Sequence, residues 1–168
     1  DLTVPISAAS EAGVTAAEAA ALGYRSLKIK VGGPDREEDW ARVTAVAAAA
    51  PGCALRLDAN QAFTAKEALE FLARCEGASI PVEMMEQPVH RDDLESLAEV
   101  TRGSKVPVIA DESVIDAAAA LKLAARGAAH GVNIKLAKAG LVGALQIIAI
   151  ARAAGLKLMI GCMLESLL

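Results

Sequence analysis

Five ionisable residues recur along the chain at intervals of 24 to 28 positions: Lys30, Asp58, Glu86, Asp111 and Lys135. Each closes, or directly follows, a short β-type run, and a second lysine, Lys28, stands two positions before the first. Side chains alternate along a strand, so Lys28 and Lys30 share one side while Ile29 takes the other. If each terminal residue points inward, three carboxylates and three lysines converge on one mouth. Three carboxylates that close together repel and would not all ionise in a low dielectric. A hard divalent cation removes the conflict, and Mg²⁺ accepts three carboxylates while leaving positions for water and substrate. Lysines at such a metal suit proton transfer. Lys28 beside Lys30, with a cation nearby, is expected to lower the ammonium pKa and make a neutral amine accessible. Lys30 and Lys135 are expected to face each other across the site, as two bases on opposite faces of a bound carbon. That arrangement describes proton abstraction α to a carboxylate.

Blander readings exist for each residue alone. Asp58 and Asp111 could cap the turns that follow them, and Lys-x-Lys could keep an edge strand soluble. The edge reading fails for strands in the middle of a parallel array, which normally read as continuous apolar runs. The regular succession favours chemistry. Glu83 is expected to point away from Glu86 because of its odd offset, Glu112 to support the ligands from behind, and Glu165 to lie near the same face. His90 and His130 read as solvated loop residues, and Gly32-Gly33-Pro34 as a loop that could approach an anion.

The elements that must position these groups alternate. Strands are predicted at Thr3–Ser7, Ser26–Val31, Ala54–Asp58, Val82–Glu86, Val106–Asp111, Gly131–Lys135 and Leu156–Ile160. Helices are predicted near 15–22, 35–50, 64–76, 91–101, 116–126 and 140–154. Thr15 with Glu18, and Thr64 with Glu67, have capping-box spacing, and Gly23, Gly77, Gly127 and Gly155 mark helix ends. The order calls for an α/β fold with a parallel sheet and outer helices. The G-x-G-x-x-G turn of a doubly wound sheet is missing. Seven strands leave a TIM-like barrel one strand short, so the chain reads as an incomplete β/α barrel, one domain over residues 1–168.

Composition narrows the partners. The 168 residues are 54% apolar and carry a net charge of −4, which excludes disorder. The acidic balance and the lack of basic runs argue against nucleic acid. No run of about 18 uninterrupted apolar residues is present to span a membrane. Cys53, Cys75 and Cys162, an odd set without C-x-x-C spacing, read as reduced, buried thiols of a cytoplasmic protein.

The runs Leu27-Lys-Ile-Lys-Val31, Leu57-Asp-Ala-Asn-Gln61, Met85-Glu-Gln-Pro88, Ala110-Asp-Glu-Ser113 and Asn133-Ile-Lys-Leu-Ala-Lys-Ala-Gly140 resemble, in order, the muconate-lactonizing-enzyme subgroup of the enolase superfamily. The resemblance implies a (β/α)7β barrel with Asp58, Glu86 and Asp111 as Mg²⁺ ligands. It implies Lys30 and Lys135 as the acid/base pair, with Lys28 as an electrostatic helper, and a metal-stabilised enediolate. Gly161-Cys-Met-Leu-Glu165 and Asn133-Ile-Lys-Leu-Ala-Lys138 look most like dipeptide epimerases of the L-Ala-D/L-Glu type. The implied function is 1,1-proton transfer on a small substrate such as L-Ala-L-Glu. Cycloisomerase, o-succinylbenzoate synthase and N-acylamino acid racemase are alternatives on the same site, and an inactive metal-binding barrel fragment is the non-enzyme one. The family also implies a capping domain, an eighth strand bearing Asp-x-Asp, and a possible homo-oligomer. Neither the capping domain nor that strand falls within the 168 residues, so the chain alone is expected to be unstable or aggregation-prone.

Overall fold

The computed structural model describes residues 2–162, so Glu165 and the end of the 161–165 motif lie outside the described residues. Seven strands form one parallel sheet in chain order: β1 (Leu2–Val4), β2 (Ser26–Lys30), β3 (Ala54–Asp58), β4 (Val82–Glu86), β5 (Val108–Ala110), β6 (Gly131–Ile134) and β7 (Lys157–Ile160). Between them lie α1 (Ala9–Ala21), α2 (Arg36–Ala49), α3 (Ala65–Gly77), α4 (Leu94–Gly103), α5 (Ala117–Arg126) and α6 (Leu136–Ala153). The sheet curls, because Thr3 from β1 and Met159 from β7 line one cavity of about 460 Å³ with Lys28, Arg56 and Lys135. This is the incomplete β/α barrel that the strand spacing predicts.

Alternation explains the two faces of each strand. Leu27 and Ile29 on β2, and Leu55 and Leu57 on β3, are fully buried in the apolar core. Each such side chain contributes on the order of 1.5–3 kcal/mol by leaving water. The intervening Lys28, Lys30, Arg56 and Asp58 point the other way. A barrel interior normally filled by branched apolar residues is here charged, which marks it as a place for chemistry rather than packing.

The Thr64 prediction holds. Thr64 Oγ1 accepts the Glu67 N–H at 3.2 Å, and Glu67 Oε2 accepts the Thr64 N–H at 2.8 Å, completing a capping box on α3. Thr64→Ala is therefore expected to destabilise the fold by about 1 kcal/mol in urea titration, with no effect on metal affinity.

Several expectations need correction. Thr15 caps nothing, because α1 already begins at Ala9. The stretch containing Gly13 lies against α2, with room for a Cβ in ordinary contact 3.7 Å from Ala45 O. Gly77 is the last residue of α3, and Ser79 takes the left-handed turn instead (φ 57°). The helix predicted near 140–154 is the part of α6 that follows Gly140, and a helical turn from Leu136 precedes it across that non-helical residue (φ 64°, ψ 174°). Glu83 does not point away from the Glu86 side. The register shifts between Leu55 and Arg56, so β4 carries one extra residue, and Glu83 pairs with Arg56 at 2.7 Å.

Helix α6 is long and apolar enough, by length and composition, to cross a membrane. Its break at Gly140 leaves too short an unbroken stretch for a ~30 Å hydrocarbon core, however, and Ala144, Ile147 and Ala151 pack into the barrel's core.

Candidate active site

Parallel strands deliver every C-terminal end to one face. The structure brings all six predicted residues there, with Asp111 and Lys135 one step beyond their strands. Glu86 occupies the middle of the sheet order. On one flank, Lys30 Nζ donates to Asp58 Oδ2 at 2.7 Å, and Lys28 Nζ lies 2.9 Å from the same oxygen and 2.8 Å from Glu86 Oε2. On the other flank, Lys135 Nζ donates to Asp111 Oδ2 at 2.6 Å. The two lysines expected to face each other thus stand on strands to either side of Glu86, each against its own carboxylate.

Three partners were not foreseen. Lys138 Nζ donates to Asp111 Oδ1 and to the Asp111 carbonyl, both at 2.6 Å. It reaches them from the turn of α6 before the Gly140 break, a segment whose sequence reads as loop. Its spacing from Lys135 was the available signal, since residues three apart in a helical turn share a face. Asn60 accepts from Lys30 Nζ at 2.6 Å and donates to Glu112 Oε1 at 3.0 Å, so Glu112 does support the site from behind. Gln87, fully buried, accepts the Asp111 and Ser113 N–H groups and donates to Val89 O and Ser113 Oγ. Asn60 and Gln87 both adopt positive φ (42° and 34°), the turn geometry that swings these amides beneath the strand ends.

The electrostatics separate the roles. Burial pushes the Glu86 carboxyl up and the Asp58 charge adds to it, against the pull of Lys28 and a hydrogen bond from Asn133. Burial opposes the Asp111 charge as well, but hydrogen bonds from Lys135 and Lys138 outweigh it and hold that carboxyl below its ordinary value. At Lys28 burial disfavours the ammonium, yet the Glu86 and Asp58 charges outweigh burial and raise its pKa.

Among the described residues, no three His, Cys, Asp or Glu side chains stand close enough together to hold a metal as they are. The lysines supply the countercharge instead. The donor set still fits a hard divalent cation. Asp58, Glu86 and Asp111 are buried carboxylates that present hard oxygen donors, and Glu86 Oε2 meets the Lys28 ammonium at 2.8 Å.

Other candidates fall away. His90 is exposed, and His130 accepts the Val108 N–H through Nδ1 at 3.0 Å. The Gly32 and Gly33 amides, in the loop that could have approached an anion, are taken by Asp39. Cys53 and Cys75 are buried, and burial pushes the Cys75 thiol up to about 11, but Cys162 is exposed, against expectation.

Residues 11–168 match the enolase C-terminal domain-like family. The chain belongs to that family. Among its relatives, an aromatic dipeptide epimerase from Herpetosiphon aurantiacus is 43% identical over 168 residues, which cover 100% of this chain and 47% of the relative. The L-Ala-D/L-Glu epimerase of Bacillus subtilis, solved as a substrate-liganded complex, superposes with a TM-score of 0.96 at 39% identity, covering 99% of this chain and 47% of that one. A dipeptide epimerase from Enterococcus faecalis, solved with Mg and the dipeptide L-Leu-L-Tyr, gives 0.92 at 43% identity, with 97% and 46% covered. The chain spans about half the length of the curated relatives it matches. Family membership accounts for the barrel and for the order of the strand-end motifs.

Proposed function

We propose that these 168 residues are the partial β/α barrel catalytic domain of a Mg²⁺-dependent dipeptide epimerase. The observation that carries this reading is the pair of lysine–carboxylate contacts, Lys30–Asp58 and Lys135–Asp111, on either side of Glu86. The relatives named for dipeptide epimerisation support it. Lys30 and Lys135 form the acid/base pair. One, as a neutral amine, takes the α-proton of the dipeptide's C-terminal-side residue, and the other, as an ammonium, returns a proton to the opposite face. Lys28 remains an ammonium and lends positive charge without exchanging its proton. Asn60 fixes the Lys30 amine through its side-chain oxygen. Asp58, Glu86 and Asp111 would hold the metal. Bound Mg²⁺ would supply positive charge at the substrate carboxylate, which gains electron density as the α-proton leaves. The unpaired cysteines support a reducing compartment, the cytoplasm.

The test uses the complete gene product with Mg²⁺ in D₂O and a panel of L,L-dipeptides and N-acylamino acids, read by mass spectrometry. Uptake of one deuterium with inversion in dipeptides such as L-Ala-L-Glu is the expected result. Uptake confined to N-acylamino acids would move the substrate to that class. No uptake in any compound would overturn the reading.

A further inference from the structure

Outside the lysine and carboxylate cluster, one buried ion pair has no part in the chemistry above. Asp39 is fully buried and Arg42 is 2% exposed, although both lie in the charged first half of α2, where a solvated face would be expected. Arg42 Nη1 donates to Asp39 Oδ1 at 2.7 Å. Apart from a second ion pair, Arg36 Nη1 to Asp39 Oδ2 at 3.7 Å, their remaining bonds go to backbone. Asp39 Oδ2 accepts the Gly32 N–H at 2.8 Å and the Gly33 N–H at 3.1 Å. Arg42 Nε donates to Ser7 O at 2.8 Å, and Nη1 reaches the carbonyl of Lys30 itself at 3.2 Å. One ion pair therefore ties together the end of β2, the turn after it and the chain leaving β1.

That turn has little freedom elsewhere. Gly32 sits at φ +98°, and a Cβ there would lie 2.5 Å from Ala62 Cβ and 2.8 Å from Ala59 O. It is wedged against the β3–α3 turn that carries Asn60, the partner of the Lys30 amine. Buried ion pairs are weak sources of stability, since well-packed apolar side chains often replace them at no cost. What apolar residues could not do is bond two amides and two carbonyls at fixed positions. Lys135 is held differently: its carbonyl accepts the Lys138 and Ala139 N–H groups of α6, with no contribution from α2.

We propose that Asp39 and Arg42 are positioning residues for Lys30, fixing its backbone so that its amine reaches one face of the substrate α-carbon. This rests on the two-lysine reading above. Because the clamp touches only one of the two bases, its loss must be felt by one stereoisomer, which a general structural role would not produce.

The experiment measures α-hydrogen exchange in D₂O from each epimer separately in the complete gene product, with Lys30→Ala defining which epimer depends on Lys30. In Arg42→Met and Asp39→Asn, exchange from that epimer is expected to slow by about 10- to 100-fold in kcat at unchanged KM. Exchange from the other epimer should change by less than about threefold, and Arg42→Lys should recover part of the loss. Equal losses from both epimers, or no loss, would overturn the proposal. If Arg42→Met does not fold, the isosteric Asp39→Asn decides. Amide hydrogen exchange gives a readout that needs no activity. Gly32 and Gly33 should lose protection in both variants while Asn133 and Ile134 keep theirs, and unchanged protection at the glycines would overturn the clamp. A wild type that exchanges no substrate but shows this amide pattern would remove the epimerase reading and leave the clamp standing without its catalytic purpose, which also overturns the proposal as stated.

Discussion

Lys30→Ala is expected to abolish α-proton exchange from one epimer of the substrate, and Lys135→Ala from the other, each by about 10³-fold or more. The two losses are mirror images because each lysine serves one face. In Lys30→Ala, the epimer whose proton faces Lys135 should still exchange with D₂O, but without inverting. Neither variant should fail for want of folding. Asp58 keeps Lys28 when Lys30 is removed, and Asp111 keeps Lys138 when Lys135 is removed. Proton NMR on single isomers in D₂O separates exchange from inversion directly. Inversion of both isomers by either variant would contradict a two-base mechanism.

Asp111→Ala is expected to have the largest effect on stability. Both oxygens of this carboxylate are bound by lysines, and Lys135 and Lys138 are only 13% and 17% exposed. Removing it leaves two largely buried ammonium groups facing each other without their shared partner. Breaking a buried pair in this way costs about 3 kcal/mol or more. The effect carries a pH signature. The folded carboxyl lies below its ordinary value of 3.8, so its contribution is fully present above that value and is lost as pH falls through the lower folded value. The gap between wild type and variant, measured by urea unfolding with a chelator present, should hold steady from neutral pH to about 5 and close below 3.8. A gap under about 1 kcal/mol at pH 7, or one that persists unchanged at pH 3, would contradict the role given to Lys135 and Lys138.

The sequence made the six principal residues legible for one reason. In a parallel barrel the strand ends share a face, so regular spacing along the chain becomes proximity in space. What escaped lay where that logic stops. Lys138 sits in a helical turn that Gly140 separates from the rest of α6, so no strand or long helix announced it. Asn60 and Gln87 act through left-handed turns just past β3 and β4, conformations that side-chain periodicity does not encode. Glu83 was assigned to the wrong side because a single extra residue in β4 resets the alternation. The carboxylate contacts of Lys28 were not legible either: its neighbour in sequence is a cation, but its neighbours in space are Asp58 and Glu86. Asp39 and Arg42 look like ordinary polar positions of a charged helix until the turn at Gly32 closes over them.

The fold itself was the easier part. The β-type runs and their intervals fix seven parallel strands, although β1 spans Leu2–Val4 rather than Thr3–Ser7 and β5 only Val108–Ala110, and the start of α1 was missed where an Ala-rich segment gives little contrast between a first turn and the loop before it. Helix α1 buries Ala12, Ala16 and Ala19 without a side-chain cap to mark its beginning.

The most direct test is diffraction at the manganese edge from crystals of the complete gene product grown with Mn²⁺ and a dipeptide. The account predicts one anomalous peak bound by Asp58, Glu86 and Asp111, with the Lys30 and Lys135 amines on opposite sides of the dipeptide α-carbon. A peak held by other residues, or both amines on the same side, would contradict it.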